Sequence, residues 1–363
     1  MPVHREVPPR ERGPGPADRL ARRGCRRRRG SGGTLGVTRF DAESAPVDED
    51  PGIGSPGPRR TLLEARDVPL GGVRAMSVSR FLPQRDLPLV GAWCFLDRFG
   101  PQRTKMRVEP HPHIGLQTVT WPLAGEVHHR DTLGSDVVIE RGALNIMTSG
   151  AGIAHSEYSV GDEPIPLDAL QLWVALPEER RHGSAAFEQH DDLPVIDLGG
   201  GADATVVVGS LAGAVSPATM HTPIVGAEIR LPAGAAVEVP LDPAWEYAIV
   251  PVFGSVRVGG VDDADADAVD PGALLYLGDG RDGIRLSTGD AETTVFLLGG
   301  EPFGDEIVMW WNFVGRSHDE IEVARDDWEA ASDRFGHVVG HGDERIPAPP
   351  LPHVRLTPRR RRL

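Results

Sequence analysis

Cysteine is nearly absent from this chain: Cys25 and Cys94 are the only two, too few for a disulfide framework. A reducing cytoplasm is the compartment that fits. Long apolar runs are missing too. No stretch reaches the roughly 18 residues of a membrane span, and the arginines near the N-terminus have no apolar segment behind them, so no secretory signal is expected. Positive charge is scarce outside the two ends. Residues 1–60 hold 13 Arg/Lys against 8 Asp/Glu and the last nine residues hold five Arg, so two basic ends of +5 inside a total of −15 leave the body near −25. An acidic body lacks the clustered cations that phosphate contacts need, which argues against nucleic acid. The Arg-rich ends read as solvated tails.

Glycine and proline are plentiful, at 44 and 33 residues of 363. Many short strands joined by tight turns use such residues; long helices do not. Residues 1–60 show neither a strand nor a helix period and are expected to form a disordered basic tail. From 61 to 178, strand-length segments alternate with turns and imply a first β-barrel. Residues 179–215 read as a connector. Its Gly199-Gly200-Gly201 is followed by neither a helix nor a lysine, so it is not a phosphate loop. Short strands resume over 216–335. Ser317-His318-Asp319-Glu320 then fits a capping box, and Ile321, Ala324, Trp328 and Ala331 make one helical stripe, which predicts a helix over 318–334. Residues 336–363 form an extended Pro/Arg-rich tail.

Two short stretches carry the chemistry. His111-Pro112-His113 and His155-Ser156-Glu157 each place two good metal ligands at i and i+2, which share one face of a strand. Facing each other, they would make a three-His, one-Glu site for a divalent first-row metal. The second β-unit repeats the first: Gly254 stands for Gly125 and Gly272 for Gly142. In that register His111, His113, His155 and Glu157 fall on Pro240, Asp242, Arg285 and Ser287, and no histidine lies between His221 and His318. One metal site per chain follows.

The strings HPHIGLQTVTW, GEVHHRDTLGS, MTSGAGIAHSE and EPFGDEIVMWWNFV resemble the pirin family across roughly residues 61–335. The resemblance implies an all-β fold of two tandem cupin (jelly-roll) β-barrels with a short C-terminal helix. It also implies one divalent metal held by His111, His113, His155 and Glu157, with Fe(II) favoured over Mn, Co, Ni, Cu or Zn. Bacterial members of the family open flavonols with O2, and animal members act as nuclear transcription cofactors. The implied function is therefore a quercetin 2,3-dioxygenase-like reaction on a phenolic or enol substrate, with Glu157 as general base, in a monomer. The alternative is a non-enzymatic, redox-responsive Fe-binding protein that acts on a protein partner. Gln117 stands where the family has Glu, and Ile114 where Arg is common. Gln117 and His129 are expected beside the ligands, in contact with a ligand histidine or with substrate.

Overall fold

The computed structural model describes residues 57–70, 76–261 and 266–363. Most of the expected N-terminal tail, Cys25 within it, lies outside the described residues, as do 71–75 and 262–265.

Strand-length segments separated by Gly and Pro turns leave only one helix among these residues, as their composition requires. The first barrel sets a seven-stranded sheet against a four-stranded one, and the second barrel sets an eight-stranded sheet against another four-stranded one. Alternation along each strand decides what fills each space. In Ile165–Ala175, Leu170, Leu172 and Val174 join one apolar cluster that also contains Val119, Trp121, Leu144 and Ile146. That cluster continues into Val207, Ile224, Ala248, Val250, Phe296 and Leu298 of the second barrel. The two large sheets thus pack back to back, and each is buried on both faces. Burying a Leu or Val side chain stabilises by roughly 1.5–3 kcal/mol, so this shared layer ties the barrels together. Trp121 Nε1 donates across it to Glu228 Oε2 at 2.7 Å.

The opposite faces differ in character. The second barrel is filled by aliphatic side chains, among them Val237, Val239, Ile249, Leu275, Ile284 and Leu286. Its strands Ala236–Pro240 and Gly283–Ser287 pair as the two ligand strands do in the first barrel. The buried residues on this pair are Val237, Val239, Ile284 and Leu286, while Glu238 and Arg285 are exposed. A five-residue connection after Pro240 replaces the two-residue one after His113. Gly125 and Gly254 do correspond: each ends its strand at positive φ, 85° and 67°.

Three boundaries shift. Pro58–Glu64, expected partly in the tail and partly in the first barrel, is a strand on the edge of the second barrel, paired with Ala273–Gly278. The connector is divided between the barrels: Ala186–His190 pairs with Leu144–Thr148 of the first, and Val195–Gly199 with Ala202–Leu211 joins the second. The helix runs over His318–Glu329, shorter than 318–334, with Ser317 accepting from Glu320 N at 3.2 Å. The Glu320 side chain accepts from Arg316 N at 2.8 Å. Helix and preceding hairpin pack on Ile114 and Ala154 of the first barrel, beside the ligand strands, rather than on the second. The C-terminal segment is anchored at Arg361, while Arg355, Arg359, Arg360 and Arg362 are exposed. Arg361 bonds both Leu89 O and the buried carboxylate of Glu246, at 3.1 and 2.6 Å. Val338 and Ala348 are buried.

Candidate metal centre

His111 and His113 end the strand Arg107–His113, and His155 and Glu157 lie on its neighbour Ile153–Ser159. The two strands pair with His155 opposite His111. Antiparallel partners share a sheet face, so the i, i+2 spacing of both motifs brings His111, His113 and His155 together, with Glu157 beside His155 and His129. Gly115 makes the turn possible. It has φ +67°, and a Cβ there would sit 2.0 Å from Val314 O; any other residue would push the C-terminal hairpin off the ligand strand.

Ligand atoms of His111, His113 and His155 all lie within 4.8 Å of one another, and so do those of His129, His155 and Glu157. His113 Nε2 and His155 Nε2 are 3.1 Å apart. Two nitrogens each about 2.1 Å from one ion at a right angle would stand about 3 Å apart, so this pair suits a common cation. The other ring nitrogens are occupied. His111 Nδ1 bonds Glu109 O at 2.9 Å, and His113 Nδ1 bonds Asn312 O at 3.2 Å. A carbonyl can only accept, so each Nδ1 carries the proton and each Nε2 keeps its lone pair for a ligand. His155 Nδ1 meets His129 Nδ1 at 3.3 Å, and His129 Nε2 meets Asp131 Oδ2 at 3.2 Å. A chain in which His155 donates to His129 and His129 donates to Asp131 satisfies every member.

Burial drives the electrostatics. It lowers His111 to about 4. It also lowers His113 and His155 well below the usual histidine value, assisted by the neighbouring rings. All three imidazoles are neutral at pH 7, the form that binds metal. Burial alone pushes Glu157 up to about 7. Asp131 behaves oppositely: burial raises it, but hydrogen bonds from His129 and Ser135 hold it below the ordinary carboxylate range. A half-neutral carboxylate beside three uncharged imidazoles, with no cation near it, is a donor set that fits a divalent metal.

Of the residues expected beside the ligands, His129 is there, stacked on Phe187 with ring centroids 4.7 Å apart. Gln117 is not. Its Nε2 donates to Thr148 Oγ1 and Thr219 O, both at 2.9 Å. Parity explains the difference: Gln117 shares a face with Val119 and Trp121, which meet the second barrel, while Thr118 and Thr120 face inward. Trp173 is both core and site wall, stacked on Phe95 at 4.0 Å and edge-on to His113 at 5.2 Å. Sequence reading missed three groups. Asp131 was legible as the i+2 partner of His129. Asn312, whose carbonyl holds His113, carries no local signal. Neither does His341, which bonds Ser156 Oγ at 2.9 Å on the back of the ligand strand.

Two tandem barrels, one filled with aliphatic side chains and one enclosing a His/Glu cluster that could hold one metal, define a bicupin. Comparison with known proteins agrees. Residues 74–174 match the pirin profile, and residues 226–336 match the pirin C-terminal cupin domain. The chain belongs to the pirin family. It is 44 % identical to a candidate quercetin 2,3-dioxygenase of Pseudomonas aeruginosa over 80 % of this chain and 90 % of that protein. It is 34 % identical to a pirin-like protein of Caulobacter vibrioides over 79 % of this chain and 98 % of the relative. The crystal structure of quercetin 2,3-dioxygenase from Acinetobacter baumannii superposes with a TM-score of 0.76 at 35 % identity, covering 82 % of this chain and 97 % of that one.

Proposed function

We propose that this protein is a metal-dependent dioxygenase that opens a flavonol or a related phenolic with O2. The observation that carries the reading is the buried cluster of three neutral imidazoles and Glu157 inside a barrel with aromatic and polar inner walls. The names of its relatives support it. His111, His113, His155 and Glu157 are the ligand set. His129 stands behind His155, because it meets the ring nitrogen that faces away from His113, and with Asp131 it orients that ring. Fe(II) is the favoured occupant, with Mn, Co, Ni, Cu and Zn as alternatives. The metal would hold the substrate's oxygens and favour loss of the hydroxyl proton, and the resulting enolate is electron-rich toward O2. The protein's own groups bind and hold protons. Glu157 is the carboxylate at the cluster that would take the substrate's hydroxyl proton. Trp173 and Phe187 flank the cluster and keep water out. For a flavonol the balance is substrate plus O2 giving CO and a depside.

The test is loss of flavonol absorbance, with and without O2, by protein reconstituted with Fe, Mn, Co or Ni. O2-dependent loss with at least one metal is expected. No loss with any of them would overturn the proposal.

A further inference from the structure

We propose that Asn145 is the specificity-determining residue of the first barrel, the hydrogen-bonding partner for a hydroxyl on the substrate remote from its metal-chelating oxygens. This rests on the reading that the centre binds hydroxylated aromatics, and it assigns the far end of the site.

The argument starts from strand register. Leu144 and Ile146 belong to the layer between the barrels, so Asn145 and Met147 point into the first barrel. Cross-strand pairing places Asn145 opposite Thr120, Thr120 opposite Gln171, Gln171 opposite Asp97 and Asp97 opposite Arg80. On the other side Asn145 pairs with Gln189. These six polar side chains make one row, five of them buried on the inner face and Gln189 exposed on the edge strand. The row two residues along holds Phe95, Trp173, Thr118, Met147 and Phe187. That row touches the cluster, through Trp173 on His113 and Phe187 on His129. Two residues along a strand is roughly 7 Å, about the depth of one aromatic ring beyond the histidines.

Within the polar row every side chain but one has a protein partner. Arg80 and Asp97 form a buried ion pair at 2.7 Å. Thr120 Oγ1 donates to Gln171 Oε1 at 2.9 Å, and Gln189 Nε2 donates to Val138 O at 2.9 Å. Asn145 is 2 % exposed, and neither its Nδ2 nor its Oδ1 has a hydrogen-bond partner. A buried amide unsatisfied at both ends is rare and destabilising. It persists where a ligand completes it, and backbone strain cannot be the reason, since Asn145 sits in a regular pairing with both neighbours. An amide presents one donor and one acceptor side by side, the complement of a phenolic hydroxyl, which accepts and donates at one oxygen. An aromatic row next to the ligands followed by this one open amide fits a planar phenol with its chelating oxygens at the cluster and a further hydroxyl at Asn145.

The test compares two probes on the full-length, Co(II)-loaded protein under nitrogen. Quercetin carries hydroxyls on its outer rings and 3-hydroxyflavone carries none, while both have the same chelating edge. Their dissociation constants are read from the flavonol absorbance shift. Wild type is expected to bind quercetin about tenfold tighter, the worth of one neutral hydrogen bond to a buried group. Asn145→Leu is expected to abolish that preference, to leave 3-hydroxyflavone within about twofold of wild type, and to raise the thermal midpoint by removing an unsatisfied amide. If Asn145→Leu fails to fold, Asn145→Ala gives the same comparison. The proposal is overturned if wild type shows no preference, if the preference survives the substitution, or if neither probe binds; in the first two cases Asn145 holds only an internal water. Failure of the dioxygenase reading shows separately. In a parallel aerobic arm no flavonol would be consumed, while the oxygen-free preference and its loss in Asn145→Leu would stand.

Discussion

Replacing Glu157 with glutamine should make the metal-free protein more stable while weakening its hold on metal. The carboxyl is 5 % exposed, and burial raises it from 4.5 to about 7. A folded-state value above the unfolded one means that the native state binds the proton more tightly. Its contribution is therefore fully present below about pH 4.5 and is lost as pH rises through 7. At about 1.4 kcal/mol per pH unit of difference, ionised Glu157 destabilises the chelator-treated fold by roughly 3 kcal/mol above pH 7. Glutamine keeps the shape and removes the charge. In urea titrations at pH 8 in the presence of chelator, Glu157→Gln should exceed wild type by up to about 3 kcal/mol. At pH 4.5 the two should nearly coincide. With metal added the order reverses, because the variant has lost a charged ligand. Its metal dissociation constant should rise by more than the roughly 10–100-fold typical of changes behind the ligands. Equal stability of the two apo-proteins at pH 8, or a less stable variant, would refute the view that this carboxylate is buried for the sake of a cation.

Other outcomes follow from the same geometry. His129→Leu should weaken metal binding roughly 10–100-fold in a competition titration, because it removes the partner that orients His155. In the Glu157→Gln background, which removes the carboxyl whose protonation acts in the opposite sense, acidifying the metal-free protein should cost stability as pH falls from 6.5 toward 4, since His111 is held at about 4 when folded and takes up its proton more readily when unfolded; a flat urea midpoint over that range in this variant would count against the neutral-imidazole assignment. Arg361→Ala leaves Glu246, 1 % exposed, without its charged partner. A loss of about 3–5 kcal/mol in urea unfolding is expected. Trp121→Phe removes the donor to Glu228 across the barrel interface and should cost about 1–3 kcal/mol, read the same way.

Much of the site was legible because strand periodicity is short. At a period of two, His111 with His113 and His155 with Glu157 must share a face, and that needs no knowledge of the partner strand. Gln117, four residues beyond His113, would keep the same face by that rule alone, but the turn at Gly115 lies between them and the parity of inward positions begins anew after it. The empty second barrel was legible from the absence of histidine. The longer connection after Pro240 was not, because loop length is invisible to a gapless repeat. The course of the connector and of the C-terminal segment was also hidden. Polar and Pro-rich stretches have no period, so nothing local says which barrel Ala186–His190 joins or that Asn312 lies against His113.

By itself the amino-acid sequence indicated the all-β class of fold and singled out His111, His113, His155 and Glu157 as candidate ligands, because both readings depend on residue type and on spacing along one or two strands. Only the tertiary structure decided what stands behind those ligands. The orientation of His113 by Asn312, of His155 by His129 and Asp131, and the isolation of Asn145 opposite Thr120 depend on register between segments distant in the chain. Register is set by the packing of two large sheets against each other, a property of the assembled core that no single stretch contains.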